Sequence, residues 1–460
     1  MSYNVPQAML DMLQSGAIPA NIKVVSNDPA GGAGGGGAAD GTWTNPYRTI
    51  QAAVDTMVAP TGDPATWTDQ IWIMSGRYEE TVTFIRSKLM FIYTLGAVEI
   101  TPPTLPDAII WDKEPDSGPP AFLMFLPGNP VGASEVPALN LQGGFQITGD
   151  SNDRFVLFRN CGITGDLYGE DPEGAGGWAG AFAFYAEQSA ITGKVAFATG
   201  TIYEWSLEDS TVGEGIFCQT PQDGGGDPAG ELFLDNAEIG FGSFTPFGGP
   251  PVSGSVWIPG GQAGFIKDGR CFGQVTADSI ETLGGYRFDN NVIALMSAPA
   301  NRESDLKDIL ITGNLTVVTA NLTDVRMGGI LTAFGTVDKI IRCEIPAATV
   351  FDGNIMMESQ FGNLIVQGGG IIMKDCQCNN LDTDRFAWID STNILVTLDV
   401  HSPSVLPQGM ITNSVVQGAI TFDAGVAVST YVDISTNSRT QLAGSAFPAG
   451  TNLLNTTTIP

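Results

Sequence analysis

Short apolar runs, each closed by an asparagine, an aspartate or a glycine, recur along most of the chain and constrain its fold more than any other feature. Examples are FVLFRNCGITGDL, TIYEWSLEDSTVGEGIF and VDKIIRCEIPAATVF. Branched and aromatic residues in runs of this length predict β-strands, and Asn and Asp accept the left-handed backbone angles of a tight corner. The phrases follow one another at roughly 19 to 40 residues, which indicates a repeat architecture with insertions.

This pattern predicts an all-β parallel β-helix, a solenoid in which each coil consists of three short strands joined by turns. No coil buries its apolar face alone, and insertions leave the stack at the turns. A β-sandwich is the alternative, but its hairpins favour two-residue N-G or D-G turns, and the chain has few of these. The chain has 58 Gly and 28 Pro, yet it is 43% hydrophobic and only 15% charged, which argues against disorder.

The charge and the cysteines restrict the partners. The chain has 49 acidic and 20 basic residues, a formal net charge of -29, without a basic cluster, so nucleic acid is not an expected partner. The six cysteines are scattered, and C-Q-C has neither the spacing of a zinc knuckle nor that of a redox motif. We therefore predict free, buried thiols, no metal site and no cofactor. The cysteines are Cys161, Cys218, Cys271, Cys343, Cys376 and Cys378.

The N-terminal sequence MSYNVPQAMLDMLQSGAIPAN lacks a basic region followed by an apolar core, so we predict no signal peptide. No apolar run approaches the roughly 20 residues that span a bilayer, so we expect no membrane insertion.

The stretch DGTWTNPYRTIQAAVD, residues 40 to 55, predicts a short amphipathic helix from Ile50 behind a glycine-rich loop. Some twenty residues later it is followed by IWIMSGRYEE. Together these segments resemble the entry to the right-handed parallel β-helix of the pectin-lyase-like superfamily, which includes phage tailspikes and other viral surface proteins. The resemblance implies a helix that closes the N-terminal end of the solenoid, where apolar side chains and strand edges would otherwise be exposed.

The predicted fold is therefore a right-handed parallel β-helix with a short N-terminal capping helix. Residues 1–39 are interpreted as an N-terminal anchor segment with a glycine-rich linker. Residues 40–394 are predicted to form the β-helix, with a proline-rich surface insertion at about 101–137. Residues 395–460 are predicted to form β-rich C-terminal coils or a cap.

Catalytic residues are not evident. Glycosidases use two carboxylates at a defined separation, and the weak candidates for such groups are Glu204, Glu208 and Asp209. The only histidine, His401, lies outside the G-H-G motif of the hydrolases that share this fold. The alternative interpretation of the acidic clusters is a solvated surface.

Two aromatic segments, GGWAGAFAFY and FGSFTPFGGPPVSGSVWIPGG, place large rings among glycine and proline. Such rings either stack in the solenoid core or form a carbohydrate-binding or subunit surface. The candidates for that surface are Trp178, Tyr185, Phe244, Phe247 and Trp257.

These observations favour a structural virion component, a spike, tail or capsid-associated protein that acts in assembly or host attachment without catalysis. The resemblance implies a homotrimer that contacts other virion proteins and a host-surface glycan, made in the host cytoplasm and located in the virion. The alternatives are a polysaccharide-degrading lyase or hydrolase with carboxylates in a groove of the β-helix, and a carbohydrate-binding adhesin. The superfamily hosts all of these activities, so its fold alone assigns none.

Overall fold

The chain forms two compact units, Met1–Tyr203 and Glu204–Pro460, which we call unit 1 and unit 2. The structure is a computed structural model. It describes residues 21–27, 39–57, 68–84, 89–104, 106–112, 121–127, 139–148, 154–169, 181–197, 201–218, 229–246, 249–294, 304–351, 355–368, 371–384, 386–401, 410–417, 419–422, 431–436, 452–453 and 457–458.

Unit 1 contains one helix and fourteen strands in its described part. They are β1 (Asn21–Val25), α1 (Ile50–Thr56), β2 (Thr68–Tyr78), β3 (Val82–Phe84), β4 (Leu89–Ile100), β5 (Asp107–Asp112), β6 (Ala121–Pro127), β7 (Leu139–Leu141), β8 (Gly144–Thr148), β9 (Arg154–Arg159), β10 (Cys161–Ile163), β11 (Leu167–Gly169), β12 (Ala181–Glu187), β13 (Ala190–Ile191) and β14 (Val195–Phe197).

The strands that follow belong to unit 2, apart from the first residues of β15. They are β15 (Thr201–Glu208), β16 (Thr211–Val212), β17 (Ile216–Cys218), β18 (Ala229–Ile239), β19 (Gly242–Phe244), β20 (Val252–Gly254), β21 (Val256–Cys271), β22 (Val275–Phe288), β23 (Val292–Ala294), β24 (Ser304–Ile311), β25 (Leu315–Val317), β26 (Ala320–Met327), β27 (Ile330–Ile341), β28 (Glu344–Phe351), β29 (Ile355–Met357), β30 (Gln360–Gln367), β31 (Ile371–Lys374), β32 (Gln377–Thr383), β33 (Phe386–Asp390), β34 (Asn393–Val400), β35 (Met410–Val416), β36 (Ala419–Phe422), β37 (Tyr431–Thr436), β38 (Asn452–Leu453) and β39 (Thr457–Thr458).

The strands stack in parallel ladders, which confirms the predicted all-β solenoid. In unit 1 one ladder runs β1-β2-β4-β6-β9-β12. A second runs β3-β5-β8-β11-β14, and a third joins the end of β4 to β7, β10 and β13. Unit 2 continues in the same manner, for example through β28-β30-β32-β34. The right-handedness of the coil stays a prediction.

Aromatic rings fill the interior of unit 1. Phe158 lies parallel to Phe125, with ring centroids 5.0 Å apart, and edge-on to Phe145 at 5.3 Å. Phe184 on the next strand lies 6.1 Å from Phe158. All four side chains are at most 1% exposed. Because each ring contacts rings of neighbouring strands, the interior is one continuous stack rather than a set of separate coil cores.

The predicted Asn and Asp corners are present. Non-glycine residues with positive φ include Asn160 and Gln188 in unit 1, both with a φ of 50°. Asp and Asn supply most of those in unit 2, because their short polar side chains tolerate this conformation best. They are Asp209, Asn236, Asp268, Asp308, Asp324, Arg342, Glu358, Asp375, Ser391 and Asn413. We call these positions the corner row.

Small polar residues follow the corner row and point inward. The Ser359 hydroxyl donates to the carbonyl of Met357 at 2.8 Å and accepts the N–H of Cys343, on the preceding coil, at 3.0 Å. Ser414 repeats the arrangement against the N–H of Thr392 at 3.2 Å. These hydroxyls satisfy backbone groups that the sharp corner removes from the strand ladders.

All six cysteines are buried and free, as predicted. Cys161, Cys343 and Cys376 occupy the same inner corner position as Ser359, and each donates its thiol to a carbonyl two residues earlier. Burial raises the pKa of the Cys271 and Cys378 thiols to about 12. These thiols therefore behave as small core side chains rather than as nucleophiles.

The motif that carries the family resemblance folds against the first strands. Thr42 donates its N–H and its hydroxyl to the Asp40 carboxylate, at 3.0 and 2.8 Å. Gly41 has a φ of +77°, and a Cβ there would lie 2.4 Å from the Tyr47 ring. The Gly41 carbonyl and the Tyr47 backbone both bond to Val24 of β1. The D-G-T and N-P-Y segments thus shape a loop that pairs with β1.

The predicted helix from Ile50 is α1, which has seven residues, and the G-x-Y-x-E segment holds it in place. The Glu80 carboxylate accepts the N–H groups of Ile50 and Gln51 at 2.7 and 2.9 Å. The Gln51 amide accepts the N–H of Thr83 at 2.6 Å and donates to its carbonyl at 3.1 Å, as a neighbouring strand would. The resemblance is therefore carried by residues with a capping role.

We expect Glu80→Ala to loosen α1, because two helix N–H groups lose their acceptor. Loss of a helix N-terminal acceptor costs about 1 kcal/mol. Hydrogen exchange of the amides of residues 50–57 should accelerate accordingly. Glu79→Ala is the matched control, because the Glu79 side chain is 73% exposed and lies 3.7 Å from Arg77. Equal acceleration in both variants would contradict the capping role of Glu80.

The prediction of a surface insertion at about 101–137 is wrong for the two strands that the structure describes there, β5 and β6. β5 and β6 pair with β3, β4, β8 and β9. Trp111 and Phe125 are 2% and 1% exposed. The prolines of this region flank the apolar runs AIIW and FLMFL without interrupting them, so both runs remain able to form strands. Composition alone therefore overstated the irregular part of this region.

Candidate functional site

The outer side of one ladder in unit 1 is apolar. Along β4, β6, β9 and β12, alternate residues such as Phe158 and Phe184 face the interior, so the intervening residues face outward. These outward side chains form a cluster in which each is at most 8% exposed. Tyr93 and Leu126 pack against the cluster and are half-buried. We call this set the apolar face; its members are Phe91, Tyr93, Met124, Leu126, Phe155, Leu157, Ala183 and Tyr185.

The apolar face differs from outer faces in unit 2. On β24, the buried residues Ser304 and Leu306 alternate with exposed Asp305 and Lys307. Strand β30 alternates in the same way. A solvated sheet face is expected to be polar, as it is on these strands. The apolar face is therefore shielded from solvent within the chain, whereas the outward residues of β24 are exposed.

The apolar face continues into an exposed aromatic edge. The Trp72 ring lies 5.9 Å from Tyr93 and 5.6 Å, edge-on, from Trp43. Trp43 is 56% exposed. Burial raises the pKa of the Tyr93 hydroxyl. The three rings therefore lead from a partly buried environment at Tyr93 to solvent at Trp43. We call Trp43, Trp72 and Tyr93 the aromatic edge.

Sequence reasoning did not select Trp43, Trp72 or Tyr93, because they are distant in sequence. Only the register of β2 and β4, in which Trp72 lies beside Tyr93, brings two of these rings together. The alternation in QIWIM and LMFIYTL was the available signal: Trp72 stands between inward Ile71 and Ile73, and Tyr93 stands between inward Ile92 and Thr94.

The predicted aromatic candidates are found in different environments. Tyr185 belongs to the apolar face, 7% exposed and stacked on Phe155 at 4.7 Å. Phe244 lies on the antiparallel hairpin β19–β20, 5.6 Å from Phe217 and 6.2 Å from Trp257. Trp178 and Phe247 lie outside the described residues.

The hairpin β19–β20 covers the outer side of β17. Phe217 is fully buried although Ile216 and Cys218, its neighbours, occupy the opposite side of the strand. Phe244 and Trp257 are half-buried and lie against Phe217 and against one another. This cluster is therefore a local covering of an outward apolar residue.

The predicted carboxylates do not form a close pair. Glu204 lies on β15 and is half-buried, Glu208 ends the strand, and Asp209 occupies the corner row. Five residues of extended strand place the Cα atoms of Glu204 and Asp209 about 16 Å apart. Asp209 instead accepts the amide of Asn236 at 2.7 Å. A glycosidase needs its carboxyl groups about 5 to 9.5 Å apart, so this combination does not meet the requirement.

Carboxylates from different coils approach more closely. Glu204 is in register with Glu231 on β18, and Glu281 is in register with Asp305 on β24. Burial raises the pKa of Glu281, and the charges of Asp305 and Glu231 raise it further. Sequence reasoning missed Glu231, Glu281 and Asp305, because the outward position of each becomes apparent only from the register of the coils.

The raised pKa of Glu281 has a consequence for stability. A carboxyl group with a raised folded pKa favours the folded state in acid, and this contribution is lost as pH rises through the folded pKa. We therefore expect Glu281→Gln to raise the melting temperature at pH 7 and to change it little at pH 4. Glu344→Gln is the control, because Glu344 lies 3.9 Å from Arg326 and loses an attraction. A lower melting temperature of Glu281→Gln at pH 7 would contradict this argument.

Across the described segments, no three His, Cys, Asp or Glu side chains are close enough together to hold a metal ion. No helix within these segments is long and apolar enough to cross a membrane.

The comparisons with known proteins identify no relative. No family model matches the chain. No curated protein matches its sequence, and no solved structure matches its fold.

Proposed function

We propose that the protein is a non-catalytic structural component of a larger assembly, of the spike type that the pectin-lyase-like superfamily supplies to virions and phage tails. In this proposal several copies associate through the aromatic edge. The observation that carries it is the aromatic edge of unit 1, where Trp43 is 56% exposed beside the shielded apolar face.

The charge of the chain supports this choice of surface. A net charge of -29 makes copies repel one another over most of their surface. Between Gln70 and Met74 on β2, and between Phe91 and Leu95 on β4, the outward residues are uncharged. Tyr and Trp are also the residues that protein interfaces favour. Copies that meet at the aromatic edge therefore bury apolar area where the repulsion is smallest.

The N-terminal cap supports the spike type. The residues that resemble the family entry, among them Gly41, Gln51 and Glu80, make the contacts that hold the loop and helix α1 against the first strands. An end closed in this way resists end-to-end stacking of copies. Copies with such a closed end can still associate side by side through a lateral surface. The resemblance favours three copies, located in the virion beside other virion proteins.

Light scattering tests the proposal. We expect the purified chain to show the mass of three copies of 48.3 kDa. Trp43→Glu should shift the mass to that of one copy, because a buried like charge at an interface costs several kcal/mol. Phe334→Glu is the control, because Phe334 is 63% exposed but lies in unit 2. A monomeric wild type, or dissociation of both variants, would overturn the proposal.

Glu281 favours a second candidate function, hydrolysis or elimination on a polysaccharide. A carboxyl group whose pKa is raised by burial and by neighbouring carboxylates has the property of a general acid, and Asp305 or Glu231 would be the base. The test is release of reducing ends from a panel of polysaccharides. Glu281→Gln should abolish the release and Glu344→Gln should leave it unchanged. No release from any polysaccharide would remove this candidate.

A further inference from the structure

A cleft of about 670 Å³ lies on the outer surface of unit 2, along β22, β24, β26 and the start of β28. Four cationic side chains line it, among them Lys307 and Arg326. The whole chain has 20 Lys and Arg residues against 49 acidic ones, so a fifth of its cations meet in this one place.

At the edge of the cleft, the corner row contains a glycine, Gly285. Tyr286 is in register with Gly269 and Ile309, so Gly285 occupies the corner between Asp268 and Asp308. Gly285 has a φ of +71°, and a Cβ there would lie 2.0 Å from the Asp268 carboxylate. The Asp268 carboxylate fills the space that a side chain at Gly285 would take, and Lys307 borders the following corner.

The cations of the cleft differ in how far they are neutralised. Arg342 binds Asp324 through two hydrogen bonds of 2.7 and 2.8 Å, and these bonds hold the pKa of Asp324 below its usual value. Arg326 is only within 3.9 Å of Glu344. No carboxylate of the described residues lies within ion-pair distance of the Lys307 ammonium group. Lys307 and Arg326 therefore retain donors for a ligand.

The balance of charge in the cleft limits the charge of that ligand. Asp308, Asp324 and Glu344 give the cleft three carboxylates against its four cations, a surplus of one positive charge. Arg287, one of the four cations, shares the carboxylate of Asp289 with Arg270, so counting this pair as well leaves the surplus at one. A surplus of one suits a single oxyanion group and disfavours a densely charged polyanion such as nucleic acid.

We propose that this cleft binds one oxyanion group, a carboxylate, sulfate or phosphate, with Lys307 and Arg326 as its hydrogen-bond donors. Both donors are charged, so the bonds are short and strong in this geometry. Arg342 stays on Asp324 and fixes the wall of the cleft. The site is independent of the aromatic edge and of self-association.

Titration calorimetry of the full chain at low ionic strength tests the proposal with sodium sulfate, sodium phosphate and glucuronate. We expect saturable binding of at least one of these probes. Lys307→Met and Arg326→Gln should each weaken it about tenfold, the loss of one charge-assisted hydrogen bond. Lys307→Arg should retain binding, because it keeps the charge.

Lys339→Met is the matched control, because Lys339 is an exposed lysine of β27 that does not line the cleft. Tighter binding of glucuronate than of sulfate would identify the oxyanion as part of an organic ligand, and equal binding would identify a bare oxyanion site. The proposal is overturned if no probe binds, if binding persists in Lys307→Met and Arg326→Gln, or if Lys339→Met weakens it equally.

Discussion

Phe158→Ala is expected to destabilise unit 1 by about 3 to 5 kcal/mol, the range for truncation of a buried phenylalanine. The ring is fully buried and contacts Phe125, Phe145 and Phe184 on three other strands. Its removal leaves a cavity that the parallel coils cannot close without shifting their register. Typical domains have a total stability of about 5 to 15 kcal/mol, so a large fraction is lost.

The midpoint of urea unfolding measures this effect. Phe334→Ala removes the same atoms from a side chain that is 63% exposed, and it should change the midpoint little. Phe158→Leu keeps most of the volume and should lie between the two. A midpoint for Phe158→Ala equal to that of Phe334→Ala would show that the aromatic stack does not carry the stability of unit 1.

Ser359→Ala is expected to cost about 1 to 3 kcal/mol, although it removes a single oxygen atom. The hydroxyl is buried and accepts the N–H of Cys343 at 3.0 Å. Without it, this N–H stays buried with no acceptor, which costs more than the hydrogen bond itself contributed. The unfolding midpoint of unit 2 should fall accordingly.

The chain supplies the control for this prediction. Cys343 and Cys376 occupy the same inner corner position on neighbouring coils, so a thiol fits there. Ser359→Cys should therefore cost less than Ser359→Ala, because the sulfur still accepts weakly and fills the space. If both variants were equally stable, the residue at the inner corner position would stabilise the fold by packing alone.

The sequence predicted the strands and their corners because both depend on local chemistry. Runs such as FVLF form strands, and the residue that follows adopts positive φ, as Asn160 does. The positive φ of Arg342 and Glu358 was not predicted, since neither residue type favours it. There the stacking of neighbouring corners overrides the local preference.

The length of a coil was obscured by insertions. Corner residues lie 16 to 18 positions apart between Asp324 and Ser391, whereas Asn236 and Asp268 are 32 apart. Averaging over the chain hides the short period. The same irregularity hid the carboxylates Glu231 and Glu281, because their proximity depends on how many residues each coil contains.

The corner row gives unit 2 a modular length. Between Asp324 and Ser391 each coil pairs with its two neighbours, and its corner returns the chain to the same position about 4.8 Å further along. Duplication or deletion of one such segment, from corner to corner, preserves the register of the coils on either side. Natural variation in this region is therefore expected to come in whole coils, and related chains should differ in height by multiples of one strand spacing.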